Sequence, residues 1–210
     1  MKTFCTSIVL LACLLLSFRC SAQLDSLSVT NQKVNDKIRE LKKDKIDTIL
    51  CYYSHCDGRM FRPMFKDSCI AYDIKYLVWC NRGRIFMERF DECRSYQVQL
   101  FYQNPFYTAL SRYNKLKTEK ILPREFRALV GNKMQSFVEV TDHTCSAMLD
   151  FYLGNIFLHK EIDLSDLDRL LDSDKHINKN YAHNRNTIVA SVREQLEQMV
   201  YLYNKKKGAK

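Results

Sequence analysis

The sequence predicts an α+β fold: an antiparallel sheet of about five or six strands, built from two hairpins and packed against several helices that include a C-terminal amphipathic one. Three observations predict it. Two pairs of β-rich runs, 70–80 with 84–90 and 147–153 with 156–162, each close over a short glycine-containing turn. Helical periodicity marks residues 28–45, 105–121 and 188–203. The order helix, strands, helices, strands, helix places the helices on one face of the sheet.

Residues 1–22 read as a cleavable secretory signal peptide. Lys2 supplies a positive start, residues 8–16 an apolar run, and Cys20 and Ala22 the small residues that a signal peptidase needs before Gln23. The run falls short of the roughly 20 apolar residues of a membrane-spanning helix, and Arg19 interrupts it. A lipid anchor fits poorly: Arg19 precedes Cys20, and Leu14, Leu15 and Leu16 follow Cys13. The Ser21-Ala22-Gln23 ending resembles the leaders of exported bacterial proteins, and the chain carries no Asn-x-Ser/Thr glycosylation site. The expected location is therefore outside the cytoplasm, secreted or periplasmic.

Residues 23–210 are expected to form a single disulfide-stabilised domain, long enough to bury a core. Within it, Val34, Ile38 and Leu41 form a narrow helical stripe at i, i+4, i+7. Residues 47–53 predict a strand, and 55–68, with Gly58 and Pro63, an irregular segment. The first hairpin turns at Asn81-Arg82-Gly83, read as a three-residue loop with Gly83 in the left-handed position.

Asn104 caps the next helix and Pro105 opens it. Phe106, Leu110, Tyr113, Leu116 and Ile121 continue its stripe. Pro123 stops that helix and starts another to Val130, ended by Gly131-Asn132. A strand follows at 136–141, then the second hairpin around Gly154-Asn155, a short acidic helix over 163–172 and a polar loop over 173–186. In the last helix Ile188, Val189, Val192, Leu196, Met199, Val200 and Tyr203 form a broad apolar face. Residues 204–210 are expected to be a frayed basic tail. Trp79, Phe86, Phe101 and Phe151 read as core.

The full chain carries a formal charge of +9, and +7 without Lys2 and Arg19 of the leader. This balance favours an acidic protein or a polyanionic partner, with no strong nucleic-acid signal. Of nine cysteines, Cys51, Cys56, Cys69, Cys80, Cys93 and Cys145 remain after cleavage. An even set in an exported chain predicts disulfides, and spacing disfavours only the pair Cys51 with Cys56.

Five glycines, none closely spaced, exclude a dinucleotide fingerprint and a P-loop, and no Gly-x-Ser-x-Gly elbow exists. No Cys-x-x-Cys pair supports zinc, and Asp172-Ser173-Asp174 lacks the turn glycine of a calcium loop, so no metal and no cofactor is expected. His143 and Cys145 share a face on a strand, which sets a base beside a thiol; the disulfide assignment of Cys145 competes with that catalytic reading. Two histidines with a lysine, drawn from His143, His159, His176 and His183, supply the ingredients of a metal-free nuclease.

The most distinctive segment lies between Cys56 and Cys69. Arg59, Phe61, Arg62, Phe65 and Lys66 interleave cations with aromatic groups, and Arg82 and Arg84 at the first hairpin tip extend the set. Phe61 and Phe65 also have the i, i+4 spacing of core residues. Three expectations follow: a non-catalytic binding protein of the envelope or extracellular space; an exported hydrolase or nuclease using histidine; and an inhibitor or immunity-type protein acting through the basic-aromatic loop.

Overall fold

Ser28 starts the first helix. Its Oγ accepts a hydrogen bond from the backbone N–H of Asn31 at 3.2 Å, and α1 runs over Val29–Lys43. The structure, a computed structural model, describes residues 28–56, 73–139, 145–170 and 176–205. At the end of α1 the Ile46 N–H bonds the Leu41 carbonyl at 2.9 Å and the Lys45 N–H bonds that of Lys42 at 3.1 Å. This is a Schellman turn, and it puts Lys45 at φ 59°, where glycine is the residue without steric cost. The expected stripe of Val34, Ile38 and Leu41 is buried.

The strands are β1 (Thr48–Cys56), β2 (Lys75–Asn81), β3 (Arg84–Phe90), β4 (Gln99–Phe101), β5 (Glu125–Val130), β6 (Lys133–Val138), β7 (Cys145–Leu153) and β8 (Ile156–Asp163). Six of them form one sheet in the order β4-β3-β2-β1-β7-β8, every neighbouring pair antiparallel. β5 and β6 form a separate hairpin. The remaining helices are α2 (Pro105–Ser111), α3 (Tyr113–Thr118), α4 (Tyr181–Arg185) and α5 (Ile188–Lys205), with a 3-10 turn at Leu164–Leu167. The fold is α+β, with an antiparallel sheet and a C-terminal helix.

The layering corrects one expectation. Helices cover both faces of the sheet. Ile49, Cys51, Leu77 and Trp79 point toward α1 and pack with Val34, Ile38 and Leu41. Leu50, Tyr52, Tyr76 and Val78 point the other way, onto Phe106, Leu116, Val192, Leu196 and Met199 of α2, α3 and α5. A strand buried on both sides loses the apolar/polar alternation of a half-solvated one. The unbroken runs Ile49-Leu50-Cys51-Tyr52 and Tyr76-Leu77-Val78-Trp79 carry that signature.

Other expectations also change. Residues 123–130 are not helical: Glu125–Val130 pairs with Lys133–Val138, and Gly131, at φ 60°, opens a two-residue turn. Gly-Asn serves hairpin turns as well as helix ends, and pairing stacks Phe126 on Phe137 at 5.4 Å, which a helix could not. The first hairpin also turns on two residues, Arg82 and Gly83, both with positive φ. The helix from Pro105 breaks at Arg112 (φ −133°), which lets Ala109 and Leu116 both bury while Leu110 stays exposed. The acidic helix shrinks to the 3-10 turn, with Asp163 as its cap. Helix α5 continues through Lys205, beyond where the tail was expected to fray.

The polar stretch before α5 is structural rather than a loose loop. Asn178 and Asn184 are buried. Asn184 holds both backbone groups of Leu122, accepting from its N–H at 2.9 Å and donating to its carbonyl at 2.8 Å. Asn178 donates to the Asp166 and Asp168 carbonyls. Side-chain amides thus satisfy backbone groups that no sheet reaches.

Candidate functional site

The same clamps shape a basic corner. The chain leaves α3 after Thr118, with Glu119 extended, and the stretch to Arg124 is held by side chains from β8, from α4 and from Asn180 just before it. Asn180 Nδ2 donates to the Pro123 carbonyl at 2.9 Å. His183 Nε2 donates to the Lys120 carbonyl at 3.2 Å. From β8, the Lys160 ammonium donates to the carbonyls of Lys117 at 3.1 Å and Glu119 at 3.0 Å. An ammonium on the last carbonyls of a helix is also favoured by the helix dipole.

The outcome draws the Lys160 ammonium and the His183 ring onto the backbone of residues 117–120, the stretch that carries Lys117 and Lys120. Lys117, Lys120 and His183 are exposed, and Lys160 is half-buried. Glu119 lies among them in sequence, but its carboxylate turns inward and accepts from the Val189 N–H at 2.8 Å, capping α5. Burial pulls the Lys160 pKa below the usual lysine value; Glu119 opposes that shift and the Lys120 charge adds to it. Positive side chains gathered around one stretch of backbone favour an anionic partner. The arrangement can bind phosphate, sulfate or clustered carboxylates through ammonium donors.

Sequence reasoning missed this corner. Lys115, Lys117 and Lys120 are plain in the sequence, but the apolar stripe dominates that segment, and Lys160 and His183 are separated from it by 43 and 63 positions.

Part of the expected site set falls among the described residues. Arg59, Phe61, Arg62, Phe65, Lys66, Cys69 and His143 lie outside the described residues. Arg82 and Arg84 are exposed at the β2–β3 turn. That turn sits at the Thr48 end of β1, whereas segment 57–72 joins the sheet at Cys56 and beside Lys75, at the other end.

Cys56 and Cys145 face each other across β1 and β7 and are joined by a disulfide. Cys145 thus has no thiolate to offer, which corrects its candidacy as a nucleophile. Cys93 is disulfide-bonded as well. Cys51 and Cys80 are free thiols, which corrects the expectation that all six cysteines are bridged. Cys51 lies in the core beneath α1, and burial pushes its pKa up to about 12. A thiol held protonated there is not a nucleophile.

The described histidines do not pair with one another. His159, on the α1 side of β8, bonds Asp150 directly opposite it at 2.5 Å. Lys160, its neighbour, points to the other face. His176 stacks on Phe126 with ring centroids 5.0 Å apart. Among the described residues no group of His, Cys, Asp and Glu is placed to hold a metal ion, and no helix is long and apolar enough to cross a membrane. Comparison with protein-family models, with curated proteins and with solved structures finds no match to this chain.

Proposed function

We propose that the chain is an exported, non-catalytic binding protein whose basic corner of Lys117, Lys120, Lys160 and His183 takes a polyanionic partner. One observation carries the reading: Lys160 and His183 bond the backbone of the stretch that carries Lys117 and Lys120, while Glu119, the acid within that stretch, is turned inward as a helix cap. Export is supported by the leader-like residues 1–22 and by the Cys56–Cys145 bridge, since disulfides persist in oxidising compartments.

The test uses immobilised heparin as the polyanion. Lys117→Ala with Lys120→Ala is expected to elute at clearly lower salt than wild type, because each lost contact removes a released counterion from the salt dependence. Arg82→Ala with Arg84→Ala changes net charge equally and is expected to shift elution less. Equal losses from the two double variants would mean that net charge alone retains the protein, and the assignment of the corner would fail.

A second reading rests on His159 and Asp150. The His159 ring is 45 % exposed and the Asp150 carboxylate 17 % exposed. An open groove of about 590 Å³, lined by Gln32, Asn35, Asp36, Ile38, Arg39 and Tyr152, lies on the same side of the sheet. On this reading Asp150 holds Nδ1 and Nε2 serves as a general base in hydrolysis. Ester and phosphodiester chromogenic substrates test it; turnover that survives His159→Ala, or no turnover at all, removes it.

A further inference from the structure

The β5–β6 hairpin stands apart from the main sheet, and its outer strand is unusual. Every residue of β6 is exposed. Met134 is 62 % and Val138 58 % exposed, and Leu129, opposite Met134, is 66 % exposed. Natural edge strands are usually blunted by proline, bulges or inward charges; β6 is Lys-Met-Gln-Ser-Phe-Val, with one charge at its start. Among the described residues its single strand partner is β5.

The register decides which backbone groups are free. Gly131-Asn132 is a two-residue turn, so the flanking pair Val130 and Lys133 is hydrogen-bonded, and alternation makes Ala128 with Gln135 and Phe126 with Phe137 the next such pairs. The N–H and C=O groups of Met134, Ser136 and Val138 then point away from β5. This edge complements itself. Turned about a twofold axis through Ser136, it sets Ser136 opposite Ser136 of a second copy and Met134 opposite Val138, each as a hydrogen-bonded pair. The same turn sets Lys133 opposite Glu139, whose carboxylate is held by Arg124 at 3.2 Å, so the apolar Met134–Val138 pairs carry the register. A slip of two positions would put Val138 against Asn132, losing the apolar match.

We propose that β6 is a dimerisation strand: two copies of this chain pair β6 with β6, antiparallel about Ser136, to join their hairpins into one four-stranded sheet. Met134 and Val138 cover one another across the seam, and their face runs on into Leu129. On the opposite face Phe126, stacked between Phe137 and His176, ties the hairpin to the body of the protein.

Sedimentation of the mature, oxidised chain over a wide concentration range tests this. A monomer–dimer equilibrium is expected. Ser136→Pro removes an outward N–H and leaves the inward ladder intact, so it is expected to weaken the dimer at least tenfold. Ser136→Cys gives a reading independent of that variant's folding. Opposed hydrogen-bonded residues have Cα atoms about 5.5 Å apart, within disulfide reach. Air oxidation is expected to yield a reducible dimer from Ser136→Cys and none from Gln135→Cys, whose two copies sit diagonally, roughly 7–8 Å apart. A chain that stays monomeric throughout, with Ser136→Cys uncrosslinked, overturns the proposal. A dimer indifferent to both Ser136 variants overturns it equally, by placing the interface elsewhere.

Discussion

Glu119 lies between Lys117 and Lys120 in sequence, yet its carboxylate faces the interior and accepts a hydrogen bond from the Val189 N–H at 2.8 Å. One residue thereby closes the first turn of α5 and leaves the surface of the corner to cations. Its removal is expected to act on stability. Glu119→Ala should lower the free energy of unfolding by about 1 kcal/mol, the usual worth of a helix cap. Glu119→Gln keeps an acceptor and should recover most of it. Urea unfolding followed by circular dichroism checks both.

The thiols offer a second check. In the native protein a maleimide is expected to label Cys80, which is partly exposed, and to spare Cys51, which is buried. Unfolding without reduction should add Cys51 to the labelled thiols while Cys56, Cys93 and Cys145 stay protected. Labelling of Cys56 or Cys145 before reduction would contradict the structure.

The Cys56–Cys145 bridge links residues 89 positions apart. Closing a loop of that length restricts the unfolded chain strongly. Replacing both cysteines by alanine is expected to cost about 2–4 kcal/mol, read as a lowered urea midpoint. The pairing of β1 with β7 should survive, since their register continues from Thr48 with Leu153 to the bridge itself.

Lys45 occupies the left-handed position that ends α1. Lys45→Gly removes the Cβ conflict there and is expected to stabilise the protein by about 0.5–1 kcal/mol, less the entropy that glycine adds to the unfolded chain. Lys45→Val should destabilise it. Thermal melts of the three proteins order them.

Asp91 sets the acid limb of stability. Its side chain is fully buried and accepts from Arg89 at 2.8 and 3.1 Å, from the Cys93 and Arg94 N–H groups at 3.0 and 3.2 Å, and from the Tyr96 hydroxyl. Burial raises its pKa, but the bonds from Tyr96, Arg94 and Cys93 and the Arg89 charge outweigh burial and hold it below 3.8. A lowered folded pKa means that this stabilisation is complete above the unfolded pKa, about 3.9, and is lost as pH falls through the folded value. Asp91→Asn is expected to cost about 2 kcal/mol at pH 7. The gap to wild type should narrow below pH 4, as unfolding curves at several pH values would reveal.

Much of the fold was legible. The stripe of α1, both hairpins of the main sheet and the apolar face of α5 could be read because each is a repeat of apolar residues at a fixed local period. Glu125–Val130 reads as a helix because Pro123 and Gly131-Asn132 carry helix start and end signals; its pairing with Lys133–Val138 decides otherwise. Of the candidate site, the lysines of 115–120 were visible as residues and invisible as a cluster. The partners that gather them, Lys160 and His183, belong to other segments.

The sequence by itself determined the α+β class, where the chain turns, and which faces of its main helices are apolar, because these depend on neighbours a few residues away. The tertiary structure alone decided that helices cover both faces of the sheet, that Cys56 meets Cys145 while Cys51 stays free, and that Glu119 turns inward among lysines. Those outcomes depend on which distant segments share space. Local period carries no information about that, whereas close packing and the need to satisfy every buried polar group impose it.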